Sequence, residues 1–317
     1  MSYARAQASK NASLTQRRQM TDHLQLAKPG GHMARTSRSL RARWLGSKLR
    51  KLRLAAGLTL ADAADAIHRD PASLSRFESG ASPIRSNLLL GLIDHYGLND
   101  FDQRNEILEL CDDVANHGWW DPFKTFLTAE FADFLWVEER ATAISLVDVV
   151  LIHGLFQTPD YAHALINDDP SLDDKLAVRR LTELRIARQR ILTRNQAPQV
   201  TSILHEAALY HRVGDRKVMR VQLDHLIAQA DNPNIDLRLL PLGTWIHGLG
   251  SVGTGLAKYQ MPTPYPTVGY TENVSGLVCH MDDEEMDRIE RMYAQMESQA
   301  LTRDATMRKI KSIAKEI

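Results

Sequence analysis

The chain has 317 residues, 39 Lys/Arg against 39 Asp/Glu, and an apolar share of 44%, enough for roughly two domains with ordinary cores. It has no run of about 18 apolar residues, so no membrane span is expected. Cys111 and Cys279 stand far apart without a CxxC partner, which argues against a disulfide framework or a cysteine zinc site and fits a reducing cytoplasm. The zero net charge conceals an asymmetry. Residues 1–90 hold 16 Lys/Arg and 5 Asp/Glu, a net +11, which leaves −11 on residues 91–317. A basic front on an acidic remainder suits a nucleic-acid module joined to a part with another task.

Residues 1–43 are polar and rich in Arg, Ser, Ala and Gln. They are expected as a disordered basic arm, either an inert tail or one that touches phosphates. The arm lacks the apolar stretch of a secretory signal. Pro29-Gly30-Gly31-His32 precedes Met33; codons for Gly-Gly can spell a purine-rich ribosome-binding site, which makes Met33 a candidate translation start.

From Leu45 to Leu98, apolar residues recur at helical spacing and are broken at Gly57, His68–Asp70 and Gly80. This layout predicts a helix-turn-helix within a small helical bundle, with double-stranded DNA as partner. A first helix is expected over 44–56, with Trp44, Leu45, Leu49, Leu52 and Ala56 inward and Gly57 at C′. Thr59 caps a second at 60–67. Asp70 caps a third at 71–79, with Pro71 at N1. Helices at 84–96 and 101–114 follow. Leu60, Ala64, Ile67, Leu74 and Phe77 read as core.

The DNA-binding domain is placed at 44–112, with Asn116–Asp121 as the boundary and 113–317 as a regulatory or partner-binding domain. Beyond the boundary, helical pattern covers 123–147, 159–168, 172–194, 205–213 and 215–230. Short strands are expected at 200–204, 235–240, 255–260 and 267–272, then one long helix at 282–313. The fold class is therefore an all-α N-terminal helix-turn-helix bundle followed by an α+β C-terminal domain with one modest sheet.

In a helix-turn-helix the N-terminal turn of the recognition helix meets base edges. Pro71, Ala72 and Ser73 occupy that turn, and Arg76 lies one turn on. Arg76 is a solvated charge or a bidentate reader of guanine, and the motif favours the second. Ser73 can donate or accept at a base or phosphate, and Ala72 can pack on a thymine methyl. Lys48, Arg50, Lys51, Arg69 and Arg85 are available for phosphates. Glu78 falls where it can pair with Arg53 of the first helix, a structural role for both.

Arg53, Gly57, Leu58, Thr59, Ala64, Leu74, Ser75, Arg76, Glu78 and Gly80 stand where the phage-repressor-like (Xre-type) helix-turn-helix family has its recurrent residues, and residues 45–98 resemble that family. Leu60 replaces the Gln that often opens its second helix, and His68-Arg69 replaces a Gly-aliphatic turn. Further on come Trp136 and Glu139, His153-Gly154-Leu155-Phe156-Gln157-Thr158-Pro159-Asp160-Tyr161-Ala162, Arg188-Gln189, Glu206-Ala207-Ala208-Leu209, Gln222-Leu223 and the run ending at Pro241. Residues 113–317 resemble the antitoxin-like C-terminal domain of unknown function in actinobacterial helix-turn-helix regulators. This resemblance implies a regulator whose gene often neighbours one for a small companion protein.

No chemistry of an enzyme emerges. His205-Glu206 and His211 are six apart, not the four of HExxH, which excludes a zincin. The glycines at 248, 250, 253 and 255 lack the Lys-Ser/Thr of a P-loop and read as a loop before a strand. Cys111 beside Asp112–Asp113 lacks the basic surroundings of a reactive thiol. Gln157 and Tyr161, polar groups among apolar ones, are candidates for a ligand or partner pocket, while Thr158 reads as a helix cap. The expectation is a cytoplasmic, non-enzymatic, sequence-specific regulator. It is expected to dimerise on paired half-sites and to need no metal or cofactor. An antitoxin-like interaction protein that also represses its own promoter is the alternative.

Overall fold

The computed structural model describes residues 39–115, 118–246, 253–273 and 276–317. Most of the expected arm, with Met33, lies outside them, as do 116–117 of the expected boundary and most of the glycine-rich stretch. The chain divides into two compact units, one ending at Trp136 and the other running from Val137 to Ile317.

The front unit is helical: α1 (Leu40–Ala55), α2 (Leu60–Ala66), α3 (Pro71–Glu78), α4 (Ser86–His95), α5 (Phe101–Ala115) and the start of α6 (Ala129–Arg140), with a 3-10 turn at Asp121–Phe126. Helix α1 begins at Leu40, inside the expected arm and four residues before the expected start. Its cap comes from far along the chain. The Asp133 carboxylate accepts the Leu40 N–H at 2.5 Å, the Ser39 hydroxyl at 3.1 Å and Arg41 Nε at 3.2 Å. Arg41 also lies over the Trp136 ring. These contacts carry the front unit to Trp136, beyond the expected limit at residue 112.

The earlier start also resets the inward stripe, which is Leu40, Ala42, Leu45, Gly46, Leu49 and Arg53. Leu52 is half-buried, and Ala56, at the C-cap and past the last inward turn, is exposed. Gly57 adopts φ +70°, with its N–H on Leu54 O and the Leu58 N–H on Arg53 O, which is a Schellman closure. At Gly46, α1 meets the end of α3 backbone to backbone. A Cβ there would stand 2.4 Å from Glu78 O and 2.5 Å from Phe77 O.

The second unit is built on a six-stranded mixed sheet in the order β3-β2-β1-β4-β5-β6. The strands are β1 (Ala143–Asp148), β2 (Gln199–His205), β3 (Ile235–Leu240), β4 (Gly255–Gln260), β5 (Val268–Asn273) and β6 (Gly276–His280). β1 pairs in parallel with β2, and β2 with β3. β4 runs antiparallel on the other side of β1, followed by β5 and β6. Helices α7 (Pro159–Asn167) and α8 (Lys175–Arg188) link β1 to β2, and α9 (Arg216–Gln229) links β2 to β3.

β6 adds a strand to those expected, and three stretches expected as helix differ. β1 occupies the end of the stretch expected as helix: it is a central strand whose last three residues are all buried, and such a strand loses the alternation that reveals strands. Only a 3-10 turn, Glu206–Leu209, forms within 205–213. The expected final helix is two, α10 (Asp283–Gln299) and α11 (Arg303–Glu316). Their break at Leu301 closes the edge of the sheet. Leu301 N–H donates to Leu239 O at 2.8 Å, and Leu239 N–H donates to Thr306 Oγ1 at 2.9 Å, which satisfies backbone groups that an edge strand otherwise leaves open. Ile289, Tyr293 and Met296 of α10 pack with Val147, Ile203, Leu240, Ile246 and Leu256.

Candidate nucleic-acid interface

Local chemistry sets the helix-turn-helix. Thr59 and Asp62 form a capping box: the Asp62 N–H meets Thr59 Oγ1 at 3.2 Å, and the Thr59 N–H meets Asp62 Oδ2 at 2.9 Å. Helix α2 ends through His68, which takes φ +53° where glycine is the usual choice. The Arg69 N–H then reaches Ala64 O at 2.9 Å. Asp70 caps α3 by accepting the Ser73 N–H at 2.8 Å, with Pro71 in the first turn.

Arg53 and Glu78 lie in the bundle's interior. Arg53 Nε and Nη2 donate to the two Glu78 oxygens at 2.6 and 3.0 Å, and Nη1 donates to Leu58 O at 2.7 Å. The side chains are only 7% and 6% exposed. This pair ties α1 to the last turn of α3.

The outer face of α3 presents Pro71, Ala72, Ser75 and Arg76, all exposed. Arg76 does not stand alone. Its Nη2 donates to Ser73 Oγ at 2.7 Å, and the Ser73 hydroxyl donates to Asp70 Oδ2 at 2.6 Å. The Ser73 hydroxyl and N–H hold the Asp70 carboxyl below the usual carboxylate range. Ser73 therefore has both its proton and a lone pair engaged within the helix and orients the exposed Arg76. Reading residue types singly misses this relay; the signal for it is Asp, Ser and Arg at three-residue steps across the first two turns.

Arg50, Lys51, Arg69 and Arg85 are exposed. Lys48 is placed differently. It is half-buried and paired with Glu106 of α5 at 2.8 Å.

In the second unit, Gln157 and Tyr161 are buried. Gln157 Nε2 donates to Ile152 O at 2.7 Å, and Gln157 Oε1 accepts Arg185 Nη1 at 2.9 Å. The Tyr161 hydroxyl accepts the Ile152 N–H at 3.4 Å, and burial pushes its pKa up to about 12. Thr158 caps α7. Gln222 spans the same loop, accepting the Thr158 N–H and donating to Phe156 O, both at 2.7 Å. Gln189 donates to Gly154 O and Gln157 O. Beneath it, Arg188 makes a two-pronged pair with Glu138, both contacts at 2.8 Å. The loop 152–158 is thus held by buried amides and guanidinium groups.

Residues 44–107 match the family described as helix-turn-helix domain, and residues 131–312 match the domain of unknown function DUF5753. The chain belongs to the DUF5753 family. Both halves of the resemblance read from the sequence are recovered: an Xre-like helix-turn-helix domain in front and a domain of unknown function behind. Among solved structures, the chain is similar to the clp gene regulator ClgR from C. glutamicum, at 26% identity over 25% of this chain and 97% of that one, with a TM-score of 0.20. No protein with a curated description matches.

Among the described histidines of the DUF5753 unit, His205 and His211 make separate backbone contacts. His205 Nδ1 accepts the Ala207 N–H at 3.3 Å, and His211 Nδ1 lies 2.7 Å from Val150 O. Burial lowers the His205 pKa. Among the described residues, no three His, Cys, Asp or Glu side chains are placed to hold a metal, and no helix is long and apolar enough to cross a membrane. Cys111 of the front unit is buried against Ser86 and Ile84 O, and burial pushes its thiol up, away from the reactive thiolate.

Proposed function

We propose that this DUF5753 protein is a cytoplasmic, sequence-specific transcriptional regulator that inserts α3 into the major groove and adjusts its DNA affinity through the C-terminal unit. The observation that carries the reading is Arg76, exposed on α3 and aligned by Ser73 and Asp70 in a front segment of net charge +11. Arg76 reads a base, with Ala72 and Pro71 beside it. Arg50, Lys51, Arg69 and Arg85 meet phosphates. Lys48 contributes through its pair with Glu106. The protein binds as a homodimer on paired half-sites. Selection of bound sequences from random duplexes by the purified protein, followed by chromatin immunoprecipitation with sequencing, tests this. Failure to enrich any sequence in the first, or any locus in the second, defeats it.

A second reading rests on a different observation. Trp245, Leu242 and Tyr210 are 88%, 53% and 48% exposed. Leu242 N–H and the Tyr210 hydroxyl share Glu206 as acceptor. Exposed aromatic and apolar side chains suit a protein partner, as an antitoxin-like protein with a small companion requires. Co-purification of such a partner by the wild type, and its loss on Trp245→Ser, separates this reading from the stand-alone regulator.

A further inference from the structure

At the β6 edge of the sheet a hydroxyl, an imidazole and a carboxylate stand in line. Thr271 Oγ1 of β5 lies 2.8 Å from His280 Nε2 of β6, and His280 Nδ1 lies 3.2 Å from Glu285 Oε2 of α10.

Register and one glycine bring them together. His280 pairs directly with Gly269, two residues before Thr271. The three positions therefore share a face, and Thr271 is the diagonal neighbour within reach of the ring. That face is the one α10 covers, since Thr271 also pairs with Leu256, which packs with Ile289 of α10. A Cβ at Gly269 would stand 2.6 Å from Ile289 Cδ1 and 3.1 Å from Met286 Sδ, so the glycine lets α10 lie close on β5. Asp282 fixes the start of the helix. Its side chain accepts the Glu284 N–H at 3.0 Å, and its carbonyl accepts the Met286 N–H at 2.8 Å. Glu285, between those two, is thereby set against His280.

The carboxylate decides where the protons sit. An ionised Glu285 only accepts, so Nδ1 of a neutral His280 carries the ring hydrogen and Nε2 keeps its lone pair. The Thr271 hydroxyl is then the donor to a basic nitrogen. A hydroxyl on Nε2 and a carboxylate on Nδ1 are the arrangement of a nucleophile, its general base and the group that orients the base. Thr271 and His280 are half-buried, and Glu285 is exposed. Asp282, Asp283 and Glu284 are exposed at the same helix start, which disfavours anionic molecules.

We propose that Thr271 is an activated nucleophile that takes the acyl group from small esters bearing no negative charge and passes it to water. Thr271 Oγ1 bonds to the carbonyl carbon while its proton moves to His280 Nε2. The ester C–O bond then breaks, and the departing alkoxide takes that proton. Water next attacks the acyl-threonine and gives its proton to Nε2. The bond to Thr271 Oγ1 breaks, the threonine recovers its proton from Nε2, and the carboxylic acid leaves. Glu285 holds the ring and answers the positive charge on His280 between transfers. This activity goes beyond the regulatory reading, and neither depends on the other.

p-Nitrophenyl acetate, given to the full chain, tests it. The wild type releases p-nitrophenol, and peptide mass mapping finds an acetyl group on Thr271. Thr271→Val, which keeps the shape and loses the hydroxyl, carries none at that position, and Thr271→Ser restores it. His280→Gln, which keeps a hydrogen-bonding side chain without a base, is acetylated there at least about 100-fold more slowly. Glu285→Gln, whose amide no longer holds the ring in one tautomer, slows the reaction as well. The proposal is overturned if the wild type gains no acetyl group on Thr271, or if His280→Gln is acetylated there as fast as the wild type. A clasp that merely joins β6 to α10 predicts those two results.

Discussion

Removing the Glu78 carboxylate while Arg53 stays should cost the front unit about 3–5 kcal/mol, the range for breaking a buried pair from one side. The structure gives the reason. Two of the three Arg53 contacts go to Glu78, and only the one to Leu58 O survives. Both side chains are less than 8% exposed, so water cannot easily replace the lost acceptor. Replacing both partners, Arg53→Met with Glu78→Leu, should be nearly neutral, because no buried charge is left unanswered. Urea unfolding of the full chain by tryptophan fluorescence measures this. Of the five tryptophans, Trp44, Trp119, Trp120 and Trp136 lie in the front unit and the fifth, Trp245, is already exposed. A Glu78→Ala cost below about 1 kcal/mol, or a double variant as damaged as the sum of the singles, would refute the reasoning.

Arg76→Ala should weaken binding to the selected duplex by about 1–3 kcal/mol with little change on random DNA, whereas Arg50→Ala or Lys51→Ala should weaken both and lower the salt slope; competition binding at several salt concentrations distinguishes them. His68→Gly should stabilise the front unit by about 1 kcal/mol, since φ +53° strains a residue with a Cβ; the same urea titration reads it, and a loss of stability contradicts it. Glu206 supplies a pH prediction. Burial raises its carboxyl, but Lys309 at 2.9 Å and the Leu242 N–H outweigh burial and hold it below the usual range. A depressed folded pKa contributes stability above the unfolded value near 4.3 and loses it as pH falls through the folded value. Glu206→Gln should therefore flatten the acid limb of the stability profile below about pH 4, followed by circular dichroism.

Turn chemistry made the helix-turn-helix legible before any coordinates. Gly57, Thr59, Asp70 and Gly80 mark helix ends by local rules, and those rules act within a few residues. The start of α1 was not legible, because its cap, Asp133, sits 93 residues away and no local pattern announces a remote acceptor. β1 failed for a related reason: Ala143, Ser145 and Leu146 are ordinary helix residues, and only their place between β2 and β4 makes them a strand. Gln157 and Tyr161 stood out as polar among apolar neighbours, yet the structure spends both on holding loop 152–158.

The Asp133 cap also sets an order of events during synthesis. Ser39 must wait for a residue 94 positions later, which at ordinary elongation speeds is roughly 5 to 20 seconds. Until then the nascent chain holds α1 without its lock. The DNA-reading module is completed only when the polypeptide has begun the helix that leads into the DUF5753 unit, so a message truncated after the helix-turn-helix would yield a bundle with a loose first helix.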